Sequence, residues 1–379
     1  MRGVALGGML LVHFQYYTSG GSGAGKVLSS VSEMVGSAYT LYAFLFGASF
    51  GLQLERSRAS GRSLAMATAR RLLGLAVLGL VTEALTGYHV LNLYVLTGFA
   101  LLALARCSGR VLAALVMVSL LAGPAVTLAE GLITRASRGA AVAEAEAVAQ
   151  RQAYQRLLQE REGVKATGTY GDLVLLQGRQ RLQAYLSPRA YVPGEMLAMA
   201  LLGLLAVRRG LLQGLPDRRG WVPWAVAASL ALGAAGVAFW RWWPGVDLGF
   251  KPLAFALGGA LGGVLSDRWL GFAVAGAVAW LTAASASARR ALSPVASAGR
   301  MAITHYVVHI FLLELLLGGY WWKVELSPLW GLLGAVALFS AQAAFSHLWL
   351  RRFRYGPLEW AWRCVSQGSP PPLRTAAGA

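Results

Sequence analysis

Long apolar runs dominate the chain, separated by short polar segments in which arginine recurs. The runs fall at residues 3–17, 35–54, 70–87, 90–105, 111–129, 191–207, 221–240, 248–265, 269–288, 301–320 and 328–350. Continuous runs of about 18 to 22 residues match the ~20 that a helix needs to cross a bilayer, whereas barrel strands would alternate over about 10 residues. The pattern predicts an all-α fold, a polytopic membrane helical bundle of about ten or eleven transmembrane helices. The runs at 248–265 and 269–288 are separated only by Ser266, Asp267 and Arg268. An even number of crossings requires that one of the two does not cross completely. The first, glycine-rich and opening on Lys251-Pro252, is expected to be re-entrant or tilted.

One large polar insertion interrupts the pattern between Glu130 and Arg189. Its first part, AAVAEAEAVAQRQAYQRLLQERE, is rich in helix formers of mixed charge and predicts a surface helix. Its second part places Leu173, Leu176, Leu182 and Leu186 among polar residues, as in an amphipathic helix lying on the membrane or over the bundle. A passive surface hairpin and a lid over a cavity fit equally well. The chain thus divides into N-terminal membrane helices (1–129), an extracytoplasmic helical insertion (130–190), C-terminal membrane helices (191–350) and a cytoplasmic tail (351–379).

Composition agrees with this division: 56% of the 379 residues are hydrophobic and 13% are charged, with a mean hydropathy of +0.54. The net charge of +18 would suggest nucleic acid in a soluble protein. Here the arginines cluster at 56–71, 106–110, 208–219, 289–300 and 351–363, while the loops near Lys26, His89 and Lys323 are nearly free of positive charge. That asymmetry orients a membrane protein, and it places both termini in the cytoplasm if the number of full crossings is even, with lipid, not nucleic acid, as surroundings. The apolar N-terminus reads as a first span, with no cleavable signal peptide expected. Cys107 and Cys364 lie in basic segments without metal-ligand spacing, so neither a disulfide framework nor a metal site is expected.

Ionisable side chains within spans are costly unless they face a cavity or a partner. All five histidines, His13, His89, His305, His309 and His347, fall in or at the ends of spans, with Glu83 before His89 and Glu314 after His309. Histidine titrates nearest neutrality, so the set is suited to proton transfer. His347, beside Arg351, reads as interfacial. His305 and His309, spaced i, i+4, suit packing, metal or haem ligation, or the lining of a donor channel.

The stretches RGVALGGMLLVHFQ, LYAFLFGASFGLQLER, YHVLNLYVLTG, EMLAMALLGLLAVRRGLL, GRMAITHYVVHIF and LWLRRFRYGPLEWAWR resemble the DUF418, or YeiB-like, family of bacterial membrane proteins. That family is grouped with transmembrane acyltransferases, including the acyltransferase-3 enzymes and heparan-glucosaminide N-acetyltransferase. The resemblance implies transfer of an acyl group from cytosolic acyl-CoA to an acceptor across the membrane. The chain departs from the family's usual Asn at His13, acidic residue at His89, and Asn and Gln at His305 and His309. The acidic residue usual in the family before the Arg-Gly pair has no counterpart before Met1-Arg2: either this chain lacks it or the native start lies upstream of Met1. The Arg2-to-His13 spacing resembles the acyltransferase-3 pattern, whose histidine is catalytic, and eleven residues are about three helical turns, which puts both on one face.

The resulting expectation is a membrane-bound acyltransferase using acyl-CoA as co-substrate, with no permanently bound cofactor. Arg56, Arg70 and Arg71 would bind its phosphates. His13 would be base or nucleophile, assisted by His89 and Arg2, with Glu83 at the substrate. Counting about 1.5 Å per residue from Arg300 puts His305 and His309 about 7 and 13 Å along their helix, at the donor entrance, and His13, about 16 Å from Arg2, deeper. The acceptor would be an extracytoplasmic glycan or small molecule, and a homodimer is compatible with the pattern. The alternative is a proton-coupled transporter or flippase without covalent chemistry.

Overall fold

The structure, a computed structural model, describes residues 1–18, 38–59, 64–88, 90–192, 194–212, 219–246, 248–266, 268–318 and 326–375. Lys26, His89, Asp267 and Lys323 lie outside the described residues. Among those described the chain is all-helical, with isolated bridges at Thr18–Leu326 and Phe353–Arg374 and no strands.

The first helices are α1 (Arg2–Gln15), α2 (Ala38–Ala59), α3 (Leu64–Thr86), α4 (Val90–Leu104) and α5 (Gly109–Arg138). The insertion forms α6 (Ala140–Thr167) and α7 (Tyr170–Leu186). Then come α8 (Glu195–Arg208), α9 (Val222–Trp242), α10 (Lys251–Val264), α11 (Trp269–Ala284) and α12 (Ala286–Ala291). The chain closes with α13 (Ser293–Arg300), α14 (Ala302–Leu317), α15 (Pro328–Arg352) and α16 (Pro357–Gln367).

Among the described residues six stretches are long and apolar enough to cross a membrane, or seven if the bent pair α13–α14 is counted as one span. The expected ten or eleven is not reached. One reason is length: α1 has 14 residues and α4 has 15, short of the ~20 of a full crossing. Another is that the two runs expected at 248–265 and 269–288 form one 34-residue stretch. α10 and α11 both run antiparallel to α9. A Cβ on Gly258 would meet Trp243, one on Gly262 would meet Trp240, and one on Gly276 would meet Val226. By length and composition the two runs count as one candidate span and not two.

The interior is built by close helix approach. α2 crosses α8 at Gly47 and Gly203, where a Cβ on either would collide with the carbonyl of Ala200 or Phe44; small residues at such crossings let backbones touch. Met9, Leu75, Tyr94, Met199, Tyr306 and Ile310 belong to the central cluster. Leu73, Val77 and Leu80 on α3 and Leu333 and Val336 on α15 are large, apolar and exposed. That is the reverse of a soluble surface and fits a lipid-facing belt.

The insertion folds over the bundle end opposite the arginine-rich segments. Gly139, at φ 94°, turns α5 into α6. A capping box between Thr169 and Asp172 starts α7, satisfying two orphan N–H groups. Of the four leucines expected on its apolar face, Leu173 is fully buried whereas Leu182 and Leu186 are exposed. The buried face of α7 is instead Leu173 and Gln177.

Candidate active site

His13 and His309 meet in the bundle interior, brought there by α1 and α14. α14 begins after an 82° bend from α13 at Met301. Its first N–H groups have no capping side chain of their own. The Glu359 carboxylate on α16 accepts from Ile303 N at 2.7 Å and Thr304 N at 3.1 Å, and from the Thr304 hydroxyl. Negative charge at a helix N-terminus satisfies orphan donors and opposes the helix dipole favourably. The terminal motif RYGPLEW therefore fixes where the histidine helix starts.

The Nδ1 of His13 lies 2.8 Å from the Nε2 of His309. His13 is 4% exposed and His309 is fully buried. The His13 ring also lies 4.7 Å from that of Tyr88 and 6.0 Å from that of Tyr306, which in turn is 5.7 Å from His309. His305, one turn earlier, bonds the Ser346 hydroxyl, which donates to the carbonyl of Gln342. His309, expected at the donor entrance, instead shares a hydrogen bond with His13, whereas His305 touches Ser346. His347 is hydrogen-bonded with Arg351, as an interfacial residue would be.

On the insertion side of this pair, two buried carboxylates receive cations from the insertion. Tyr17 donates to Glu314 at 2.6 Å, and Arg161 and Lys165 of α6 lie 3.4 and 3.3 Å from it. Glu83 accepts from Tyr185 at 2.6 Å and from Asn92, and Arg181 of α7 lies 3.1 Å away. Burial first, and then the bond to Glu83, push the Tyr185 phenol up to about 12. Arg161, Arg181 and Tyr170 also donate to the carbonyls of Thr86, Gly87 and Leu85, so the insertion caps the C-terminal end of α3. Cations there complement the helix dipole. The insertion is part of the bundle's charge balance and not a passive hairpin.

Toward the arginine-rich end, two adjoining cavities lead away from Tyr306. The first is an apolar slot of about 200 Å³ whose walls include Met9, Tyr42, Leu75, Tyr94, Tyr306 and Trp362. The second, about 210 Å³, is a polar mouth with Arg2, Gln53, Arg71, Arg300, Tyr355 and Arg363. Arg2, Leu75 and Trp362 line both. Arg71 donates to Gln53 and lies 4.8 Å over the Trp362 ring.

The structure therefore brings His13, His309 and the Tyr306 wall together, with Arg2 about three turns away along α1 at the mouth, donating to Ser49. Glu83 belongs to the insertion side. Arg71 lines the mouth, while Arg56 and Arg70 are exposed and line neither cavity. His89 is outside the described residues. Sequence reasoning missed Tyr17, Tyr88, Tyr306, Arg161, Lys165 and Arg181. Tyr306 sits between the two flagged histidines of its helix, a signal that was present; the insertion's cations had none.

The family model "Protein of unknown function (DUF418)" matches residues 206–369, and the model "Heparan-alpha-glucosaminide N-acetyltransferase, catalytic" matches residues 1–186. An uncharacterized 39.9 kDa protein of the amylase 3' region of Bacillus acidopullulyticus is 35% identical over 119 residues, 31% of this chain and 32% of that protein. The uncharacterized protein YxaH of Bacillus subtilis is 36% identical over 87 residues, 22% of each chain. The chain's matched segment thus spans a third or less of these curated relatives. No solved structure matches the chain significantly. The two family matches, one in each half and together carrying His13, His309 and Glu359, are consistent with a DUF418 family protein related to acyltransferases.

Proposed function

We propose that the protein transfers an acyl group, acetyl in the simplest case, from cytosolic acyl-CoA to an acceptor on the far side of the membrane. The observation that carries this reading is the buried His13–His309 pair, whose rings adjoin that of Tyr306, a wall of the apolar slot that shares residues with the arginine-lined mouth. The anionic end of the donor matches the mouth, where Arg2, Arg71, Arg300 and Arg363 offer charge-assisted bonds to phosphate. The thin apolar slot suits the pantetheine arm and acyl chain. A proton on His309 Nδ1 leaves its Nε2 to accept from His13 Nδ1–H, so His13 Nε2 is the base. It takes a proton from the acceptor hydroxyl or amine as that atom attacks the thioester carbonyl. The carbon–sulfur bond then breaks, and the imidazolium returns the proton to the departing thiolate.

In this reading the chain crosses a bacterial inner membrane an even number of times, with the insertion outside and both termini in the cytoplasm. The acceptor, a glycan or small metabolite, approaches from the side of Tyr17 and Tyr88. Binding of acetyl-CoA and longer acyl-CoAs to detergent-purified protein, followed by measurement of released thiol, tests the proposal. Micromolar binding with thiol release is expected. An absence of binding for every chain length would overturn it.

A further inference from the structure

Five residues of the apolar slot carry polar side-chain groups, and four of those are already engaged. Arg2 donates to Ser49, Tyr42 to the carbonyl of Arg2, Tyr94 to the carbonyl of Tyr39, and Trp362 to the carbonyl of Arg71. Tyr306 is the exception: its hydroxyl is fully buried with no hydrogen-bond partner among the described residues. Leaving a buried hydroxyl unpaired costs about 1–3 kcal/mol, so an orphan of this kind asks for an explanation. Its ring forms part of the slot wall and lies 6.0 Å from that of His13 and 5.7 Å from that of His309, neither of which lines the slot.

We propose that the Tyr306 hydroxyl is the donor that holds the carbonyl oxygen of the acyl thioester during transfer. The inference rests on the acyl-CoA reading above and adds to it a catalytic contact. Of the slot's five polar residues Tyr306 is the one without any hydrogen-bond partner among the described residues, and its ring adjoins the base. When the acceptor oxygen or nitrogen bonds to the carbonyl carbon, the carbonyl π pair moves onto its oxygen. The Tyr306 O–H then donates to this oxyanion. When the pair returns, the carbon–sulfur bond breaks and His13 delivers the acceptor's proton to the thiolate. A donor committed elsewhere in the resting protein would first have to break its bond. One with no partner is ready for charge that exists only in the transition state.

The test uses the full-length protein in nanodiscs with acetyl-CoA as donor, water standing in for the acceptor. Wild type and Tyr306→Phe are compared by thiol release, acetyl-CoA affinity, thermal unfolding and the infrared carbonyl stretch of bound [1-13C]acetyl-CoA. Phe keeps the ring and removes only an unpaired group, so unfolding should be unchanged or shifted slightly upward. The rate of thiol release should fall about 100-fold, as for loss of one oxyanion donor, with affinity within about threefold. The carbonyl stretch should move to higher frequency in the variant, a signature that a packing role would not produce. Equal rates and equal carbonyl frequencies in the two proteins would overturn this inference and leave the acyltransferase reading standing. Failure of wild type to bind acetyl-CoA would overturn that reading itself.

Discussion

The Nδ1 of His13 and the Nε2 of His309 are 2.8 Å apart, although 296 residues separate them in the chain. One proton serves both nitrogens, so the protonation state of one ring sets the role of the other. His13→Ala should abolish thiol release while leaving acyl-CoA affinity within about threefold. The bond also separates two substitutions at its partner. His309→Gln can still accept from His13 and should retain activity within about tenfold, whereas His309→Leu leaves a buried imidazole unpaired. At a cost of about 1–3 kcal/mol it should lower the rate ten- to a hundredfold. Equal rates for Gln and Leu would mean that the bond has no role. His305→Asn, at a side chain that touches Ser346 rather than the pair, should be nearly silent.

The mouth makes a second distinction. Arg71 lines it whereas its neighbour Arg70 points about 100° away on the same helix, and Arg56, at the exposed end of α2, does not line it either. Arg71→Ala should weaken acyl-CoA binding by about 1 kcal/mol, a figure kept small because other arginines remain and the site is partly solvated. Arg56→Ala and Arg70→Ala should leave it unchanged. Isothermal titration with desulfo-CoA would show an opposite ranking if the phosphates sit on the outer loop.

Much of this was legible in advance. Composition and run length identified an all-helical membrane protein, and the cost of charge in a span singled out His13, His309, Glu83 and Glu314. What was hidden depended on three dimensions. Spacing within one helix cannot show a partner 296 positions away, which is why the contact between His13 and His309 was not foreseen. A surface helix rich in arginine reads the same whether its charges face water or a buried carboxylate, which is why Arg161, Lys165 and Arg181 passed unnoticed. The two half-spans at 251–264 and 269–284 resemble two short crossings until Trp240 and Trp243 are seen to lie along the first of them.

Glu314→Gln should loosen the insertion. The carboxylate is 2% exposed and faces Arg161, Lys165 and the Tyr17 hydroxyl. Removing one side of a buried pair costs about 3–5 kcal/mol, to be lowered here because Arg161 is 24% exposed. Limited trypsinolysis reads the outcome directly: cleavage within residues 140–186 should quicken several-fold relative to wild type. Unaltered cleavage would show that the cations hold the insertion without their carboxylate.

Glu359→Ala removes the carboxylate that caps α14 from another helix. Two backbone donors at Ile303 and Thr304 lose their acceptor, a change worth about 1–2 kcal/mol for a helix cap. Thermal unfolding should occur several degrees lower. Glu359→Gln, which can still accept, should recover part of the loss. If the two variants unfold at the same temperature, the carboxylate is not the cap.

The pairing of Glu83 and Glu314 with the insertion has an order in time as well as a place. Synthesis runs from the N-terminus, so Glu83 is made and must enter the membrane while Arg181 and Tyr185, 102 residues downstream in the latter case, do not yet exist. Asn92, only 9 residues on, is the one partner that arrives with it. Glu314 meets the opposite situation, since Arg161 was completed 153 residues earlier and is already waiting. A carboxylate alone in hydrocarbon is costly, so the first half of the bundle is assembled under electrostatic debt and the second is not. Assembly of α3 and α4 is thus the step most exposed to failure in the newborn chain, and the insertion is what ends that exposure.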